Sequence, residues 1–145
     1  MTTGADLAEA CAAAMWRADQ ASQGLGMVIE HVAPGAARLS MEVAPRMVNG
    51  LGTCHGGFIF ALADSAFAFA CNTHGAVSVA SHCSVSFLRP AALGEHLVAT
   101  AAERHRAGRS GIYDVRVTAG GEVVAEFRGY SRTTGARVLE GADAP

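Results

Sequence analysis

The run from Phe58 to Cys71, FIFALADSAFAFAC, constrains the fold more than any other part of the chain. Every position in it is apolar except Asp64 and Ser65. It is too short to span a bilayer, which takes about 20 apolar residues, and it carries a carboxylate at its centre. It therefore reads as a buried helix. A helix apolar on nearly every side has to be surrounded, not laid on a surface.

The flanking segments supply the surrounding material. Residues 5 to 22 are rich in alanine and other helix formers and are followed by Gly24-Leu25-Gly26, which ends a first helix. Residues 27 to 32 and 37 to 43 read as a hairpin turning at Pro34-Gly35, and 44 to 54 as a loop. After the apolar helix, which His55-Gly56-Gly57 opens and Thr73 to Gly75 ends, come strands at 77–88, 97–104, 112–118 and 123–132. In the first of these, Val77, Val79, Ser81, Cys83, Val85 and Phe87 alternate onto one face. The tail from 135 to 145 lacks periodicity and is expected to fray. The expected fold is α+β: one domain over 1–145, a curled antiparallel sheet wrapped around a long central helix, in the manner of a hot dog in its bun.

Bulk properties narrow the partners. At 145 residues and a net charge of −2, nothing points to nucleic acid or an anionic membrane. The N-terminus has no basic region and carries Asp6 and Glu9, so no signal peptide is read, and a cytoplasmic location is expected. The four cysteines are irregularly spaced, which favours free thiols. The six histidines show no paired-ligand spacing, so no metal is expected.

Asp64 is the residue that needs a reason. An unpaired carboxylate in an apolar environment is costly, and this one lies too far inside the helix to cap it. Three readings are open. Asp64 bonds backbone donors of a neighbouring element, or it marks the one wet stripe of the helix beside Ser65, or it is held in an apolar cleft as a base or nucleophile. His55-Gly56-Gly57 offers the complementary group, because a helix N-terminus presents unpaired N–H donors that can hold an oxyanion. Gly56 and Asp64 are about 12 Å apart along one helix. A reacting carbonyl needs each within about 3 Å, directly or through one water. If both are catalytic, two copies of the chain must share the site.

The stretch from Asn49 through His55-Gly56-Gly57 to Asp64 resembles the N-x5-HGG-x6-D signature of hot-dog thioesterases of the phenylacetic acid degradation type. The likeness continues through Ser65 to Asn72, Val79-Ala80-Ser81, Phe87-Leu88-Arg89-Pro90 and Gly111 to Asp114, and covers roughly residues 15 to 135. It implies hydrolysis of an aryl- or arylacetyl-CoA thioester, phenylacetyl-CoA or a ring-hydroxylated relative, within aromatic acid breakdown. CoA is then part of the substrate, and no separate cofactor is expected. By the same likeness the Gly56 N–H polarises the carbonyl, Asp64 activates water or attacks, and Asn49 places water or thioester. His55 supports the start of the helix, with direct contact as the lesser option. Gly57 and Ser81 would border the substrate, while Arg89, Arg109 and Ser110 would meet CoA phosphates. For these arginines plain solvation, and for Ser81 a satisfied core hydroxyl, are equal alternatives. The likeness favours a homo-oligomer built as a dimer of dimers.

Three rivals remain. A cysteine hydrolase using Cys54 with His55 suffers from adjacency, since neighbouring residues rarely align for proton transfer. A hot-dog dehydratase would favour a different Asp-His or His-Glu arrangement. A non-catalytic acyl-CoA-binding module of the same fold would gain nothing from a buried charge at position 64.

Overall fold

The computed structural model describes residues 2–140. A first helix, α1 (Gly4–Ala18), is followed at once by a short second one, α2 (Gln20–Gly24). The continuous helix expected over residues 5 to 22 is thus broken at Asp19. Asp19 leaves the helical conformation and its carboxylate caps α2, accepting the Ser22 N–H at 2.8 Å. This is the behaviour that makes aspartate a better cap than a helix interior.

Strands β1 (Val28–Ala33) and β2 (Ala36–Glu42) form the hairpin, and a 3₁₀ turn (Pro45–Met47) leads into the loop before helix α3 (Gly56–Cys71). Strands β3 (Ala76–Phe87), β4 (His96–Ala107), β5 (Ser110–Ala119) and β6 (Glu122–Arg137) complete one six-stranded sheet. Its order is β1-β2-β4-β5-β6-β3, with every pair antiparallel. α3 therefore carries the chain from one side of the sheet to the other, so that β3 becomes an edge strand beyond β6.

The curl of the sheet follows from what α3 must bury. Leu62, Ala66 and Phe67 are almost wholly buried against the inward residues of the strands, among them Leu39, Leu97, Val115 and Val117. Each large side chain so buried contributes about 1.5–3 kcal/mol. Gly129 on β6 lets α3 approach closely: a Cβ there would sit 2.8 Å from the Phe67 ring. The wrap is incomplete in one protomer. A stripe of α3 formed by Phe60, Ala61, Asp64 and Ala68 stays only half-buried.

Two expectations about strands are corrected. The alternation in β3 is interrupted by a bulge at Ser81, between the pairs Ala80–Ser131 and His82–Tyr130. Cys83, Val85 and Phe87 pair with Gly129, Phe127 and Ala125 on the helix side, whereas Val79 pairs with the exposed Arg132 and faces outward. A bulge adds one residue to one strand and so reverses the faces beyond it. The tail does not fray at Gly135 either. β6 runs to Arg137, the Val138 N–H donates to the Gly75 carbonyl at 2.9 Å, and Leu139 is buried. The remainder of that expected tail, 141–145, lies outside the described residues. Among the described residues, no helix is long and apolar enough to cross a membrane.

Candidate active site

Asp64 occupies the middle of α3 on its half-buried stripe. Its carboxylate has no hydrogen bond and no ion pair among the described residues, so the neighbouring backbone donors of the first reading are not there. Burial pushes its pKa above the ordinary carboxylate value, because desolvation disfavours the charged form. Burial pushes the Cys71 and Cys83 thiols up, Cys71 to about 12, and the nearby Asp64 charge adds to both shifts. Asp64 borders a cavity of about 500 Å³ between α3, the first half of β3 and the end of β6. Ala14 and Met15 of α1 form another part of its wall.

The start of α3 is built differently. His55 is its N-cap, and its Nδ1 accepts the Gly57 N–H at 2.9 Å. That fixes the tautomer, with the proton on Nε2. It also occupies Gly57, expected to border the substrate: a Cβ there would meet Nδ1 at 3.0 Å. The absence of a side chain at Gly57 serves the histidine cap. The Gly56 N–H, in contrast, has no acceptor among the described residues. The Phe87 ring lies against Gly56, with Cζ 3.0 Å from where a Cβ would stand.

Asn49 organises the loop that delivers this turn. Its Oδ1 accepts the Leu51 N–H at 2.9 Å and the Thr53 N–H at 3.2 Å, and its own N–H donates to the Thr53 carbonyl at 2.7 Å. The His55 N–H then donates to the Met47 carbonyl at 2.7 Å, tying the cap to the 3₁₀ turn. With Oδ1 spent on the loop, the Asn49 side chain keeps its NH₂ donors.

Arg89 does not have the freedom a phosphate ligand needs. Its Nη1 donates to the Pro90 carbonyl (2.7 Å) and Glu95 Oε1 (3.0 Å), and its Nη2 to Glu95 Oε2 (3.1 Å) and the Ala119 carbonyl (3.2 Å). Nε lies 2.9 Å from Glu122 Oε2, without the alignment of a hydrogen bond. The guanidinium clamps the β3–β4 connection onto the end of β5, and the expected CoA-phosphate role is withdrawn. Ser81 sits in the bulge, exposed, and its hydroxyl donates to the Tyr130 carbonyl at 3.1 Å. Its hydroxyl is satisfied, but it lies at the surface, off the apolar face and outside the core in which the alternation put it.

Arg109 and Ser110 do come together. They border a second cavity, of about 260 Å³, which shares Cys71 and Ser78 with the first. Arg106 joins them there, a cation that spacing in the sequence did not single out. All four cysteines are free thiols. Burial raises the Cys54 pKa, and the Nδ1 of its neighbour His55 is already an acceptor for Gly57, so Cys54 lacks the activation a nucleophilic thiol requires. Among the described residues no cluster of three or more His, Cys, Asp or Glu could hold a metal.

Asp64 and the Gly56 turn thus hold one unspent acceptor and one unspent donor, on one helix and about 12 Å apart. Neither Gly56 nor Asn49 borders the Asp64 cavity. A single protomer does not bring the two halves to one carbonyl.

Comparison with known proteins adds four findings. Residues 51–126 match the thioesterase superfamily family model. The chain is 43% identical to the acyl-coenzyme A thioesterase PaaI of Escherichia coli (strain K12) over 86% of this chain and 90% of that protein. The structure of the E. coli PaaI protein from the phenylacetic acid degradation operon superposes with a TM-score of 0.92 at 40% identity, covering 93% of this chain and 99% of that one. A mutant structure of the phenylacetic acid degradation protein PaaI from Thermus thermophilus superposes at 0.76, also at 40% identity, over 78% of this chain and 97% of that one.

Proposed function

The chain belongs to the thioesterase superfamily, the hot-dog fold is shared with its relatives, and from that premise we propose that it hydrolyses acyl-CoA thioesters at sites shared by two copies of itself. The observation that carries this reading is the Asp64 carboxylate, half-buried beside a cavity and without a protein partner. A non-catalytic acyl-CoA binder would bear the cost of that desolvated charge for no return.

In the proposed reaction the thioester carbonyl of the substrate lies between Asp64 of one copy and the Gly56 N–H of the other. The N–H polarises the carbonyl and holds the oxygen as it gains charge. Asp64 either takes a proton from water as that water attacks, or attacks the carbonyl carbon itself to give an anhydride that water opens. In both routes the C–S bond breaks, the sulfur leaves as CoA thiol once protonated, and one water is consumed per free acid formed. The Asn49 NH₂ is the donor left to orient the water or the thioester. No metal or separate cofactor enters this scheme.

Assembly follows from the same geometry. β3 is an edge strand with Val79 and Phe87 exposed, as is Leu88 just after it, and the Asp64 stripe of α3 is only half covered. A second copy on this side would cover both and bring its own Gly56 turn to Asp64, and the family likeness favours two such dimers in a tetramer. The acyl group proposed is phenylacetyl or a ring-hydroxylated phenylacetyl, supported by the PaaI relatives, and the proposed location is the cytoplasm. Thiol release from a panel of CoA esters tests the function. The expected outcome is a kcat/KM for phenylacetyl-CoA well above those for acetyl-CoA and palmitoyl-CoA. No thiol release from any ester would overturn the reading, and a flat profile would overturn the acyl assignment.

A further inference from the structure

The cavity beside Asp64 is walled on one side by an element outside the stretch matched by the superfamily: residues 51–126 leave out α1, which contributes Ala14 and Met15. We infer that α1 is the specificity wall of the site and that Met15 sets the size of acyl group the enzyme accepts. The inference rests on the thioesterase reading above and concerns which part of the substrate this cavity receives.

Three observations support it. The first is the chemistry of the wall. Met15, Phe67, Ala68 and Val77 are apolar, and apart from Asp64 itself and Arg137 at the rim the polar side chains among them, Asn72 and Ser78, are already satisfied. Asn72 bonds the Ala68 and Ser78 carbonyls and the Ser78 N–H, while the Ser78 hydroxyl donates to the Ala76 carbonyl. A pantetheine arm, with its two amides, would find few unspent partners here, whereas an apolar acyl group needs none. Arg137 is the one cation of the wall, and being exposed it marks the open side.

The second is direction. Asp64, Phe67, Ala68, Cys71 and Asn72 recur at intervals of three and four along α3, so they share one face running about 12 Å away from the carboxylate. A carbonyl held at Asp64 can send its acyl substituent along that face, past Met15.

The third is that α1 is anchored to α3, through α2, which it joins at Asp19, and through its own Trp16. In α2 the Ser22 hydroxyl donates to Asp19 Oδ2 at 2.7 Å and lies 2.9 Å from the hydroxyl of Ser65, the residue next to Asp64. The Trp16 ring packs on Phe69 with centroids 6.2 Å apart, and Ala8, Cys11 and Ala12 are buried beneath the helix. The wall is therefore registered to the carboxylate, and a change of side-chain volume at position 15 is felt by whatever fills the cavity. A methionine suits such a place, being unbranched and adaptable in shape.

The test is kcat/KM for acetyl-, butyryl-, hexanoyl-, octanoyl- and phenylacetyl-CoA with the wild-type chain, Met15→Ala, Met15→Phe and the volume-conserving Met15→Leu. A methylene gained or lost in an apolar pocket changes discrimination by about tenfold or more. Met15→Ala is expected to raise the octanoyl-to-butyryl ratio by about tenfold, Met15→Phe to lower it by a similar factor, and Met15→Leu to leave it near the wild-type value. The ratio is internal to each variant, so a partial loss of folded protein does not distort it. Unchanged ratios, or a uniform change across all acyl groups, would overturn the inference, the second by placing the CoA arm in the cavity. If the wild-type chain cleaves no ester at all, the thioesterase reading fails first and this inference with it.

Discussion

His55 Nδ1 accepts the backbone N–H of Gly57 at 2.9 Å, so the residue after Gly56 is tied down while Gly56 itself keeps its donor. The histidine of the HGG motif thus works as a helix cap that aims the neighbouring N–H.

A cap of this kind has a measurable weight. His55→Ala removes the acceptor and is expected to lower stability by about 1 kcal/mol. It should also lower kcat by about tenfold, since the loosened turn no longer holds the Gly56 N–H in place. His55→Asn restores a capping oxygen and should recover most of both. Thermal melts and single-substrate kinetics on the two variants decide the point. If His55→Asn regains its melting temperature but none of its turnover, the ring contacts the substrate and is more than a cap.

The proposed shared site makes a prediction that no single-chain site can meet. Asn49→Asp keeps Oδ1, and so the loop bonds to Leu51 and Thr53, but removes the NH₂ donors, and it is expected to fold normally and turn over poorly. Asp64→Asn is expected to be inactive for a different reason. Unfolding and refolding the two variants together forms mixed dimers in which one site pairs an intact Asp64 with an intact Asn49. About a quarter of the wild-type activity should return at equal mixing, with a dimer or tetramer seen by light scattering. Activity no greater than the sum of the two parents, in a preparation shown to contain mixed dimers, would place the whole site in one chain.

Much of this was legible before the structure. The apolar helix around Asp64 dictated the wrapped sheet, and the length of that helix dictated that Gly56 and Asp64 could not serve one carbonyl in a single chain. What the sequence hid has local physical causes. Arg89 looked like a free cation because its partners, Glu95 and the Ala119 carbonyl, are brought to it only by the β3–β4 connection and the end of β5. Ser81 was assigned to the wrong face because a bulge leaves no mark in strict alternation, and here it turns Val79 outward. Met15 was invisible as a site residue because helix periodicity says that α1 docks but not what lies under its half-buried edge. Asn49 kept a dual character: the same side chain that was read as a substrate ligand spends its oxygen on the loop.

Asp64 carries the functional claim, and its raised pKa gives the claim a pH signature. Asp64→Asn preserves size and removes charge and basicity. Loss of a base or nucleophile should lower kcat by roughly 10²–10⁴ with little change in KM. Stability should move the other way. Burial raises the folded-state pKa above 3.8, so in the window between 3.8 and that raised value the folded protein holds a proton the unfolded chain has released. The Asp64 contribution to wild-type stability therefore falls as pH rises through this window, and its deficit is complete above the folded pKa. The variant has no such group, so its melting temperature relative to wild type should rise from pH 3.5 to pH 7. Wild-type kcat/KM should climb over the same window, as the carboxylate forms, with a midpoint above 3.8. An Asp64→Asn protein that is less stable at pH 7 and turns over normally would instead make Asp64 a structural hydrogen-bonding residue, and would remove the catalytic role assigned to it.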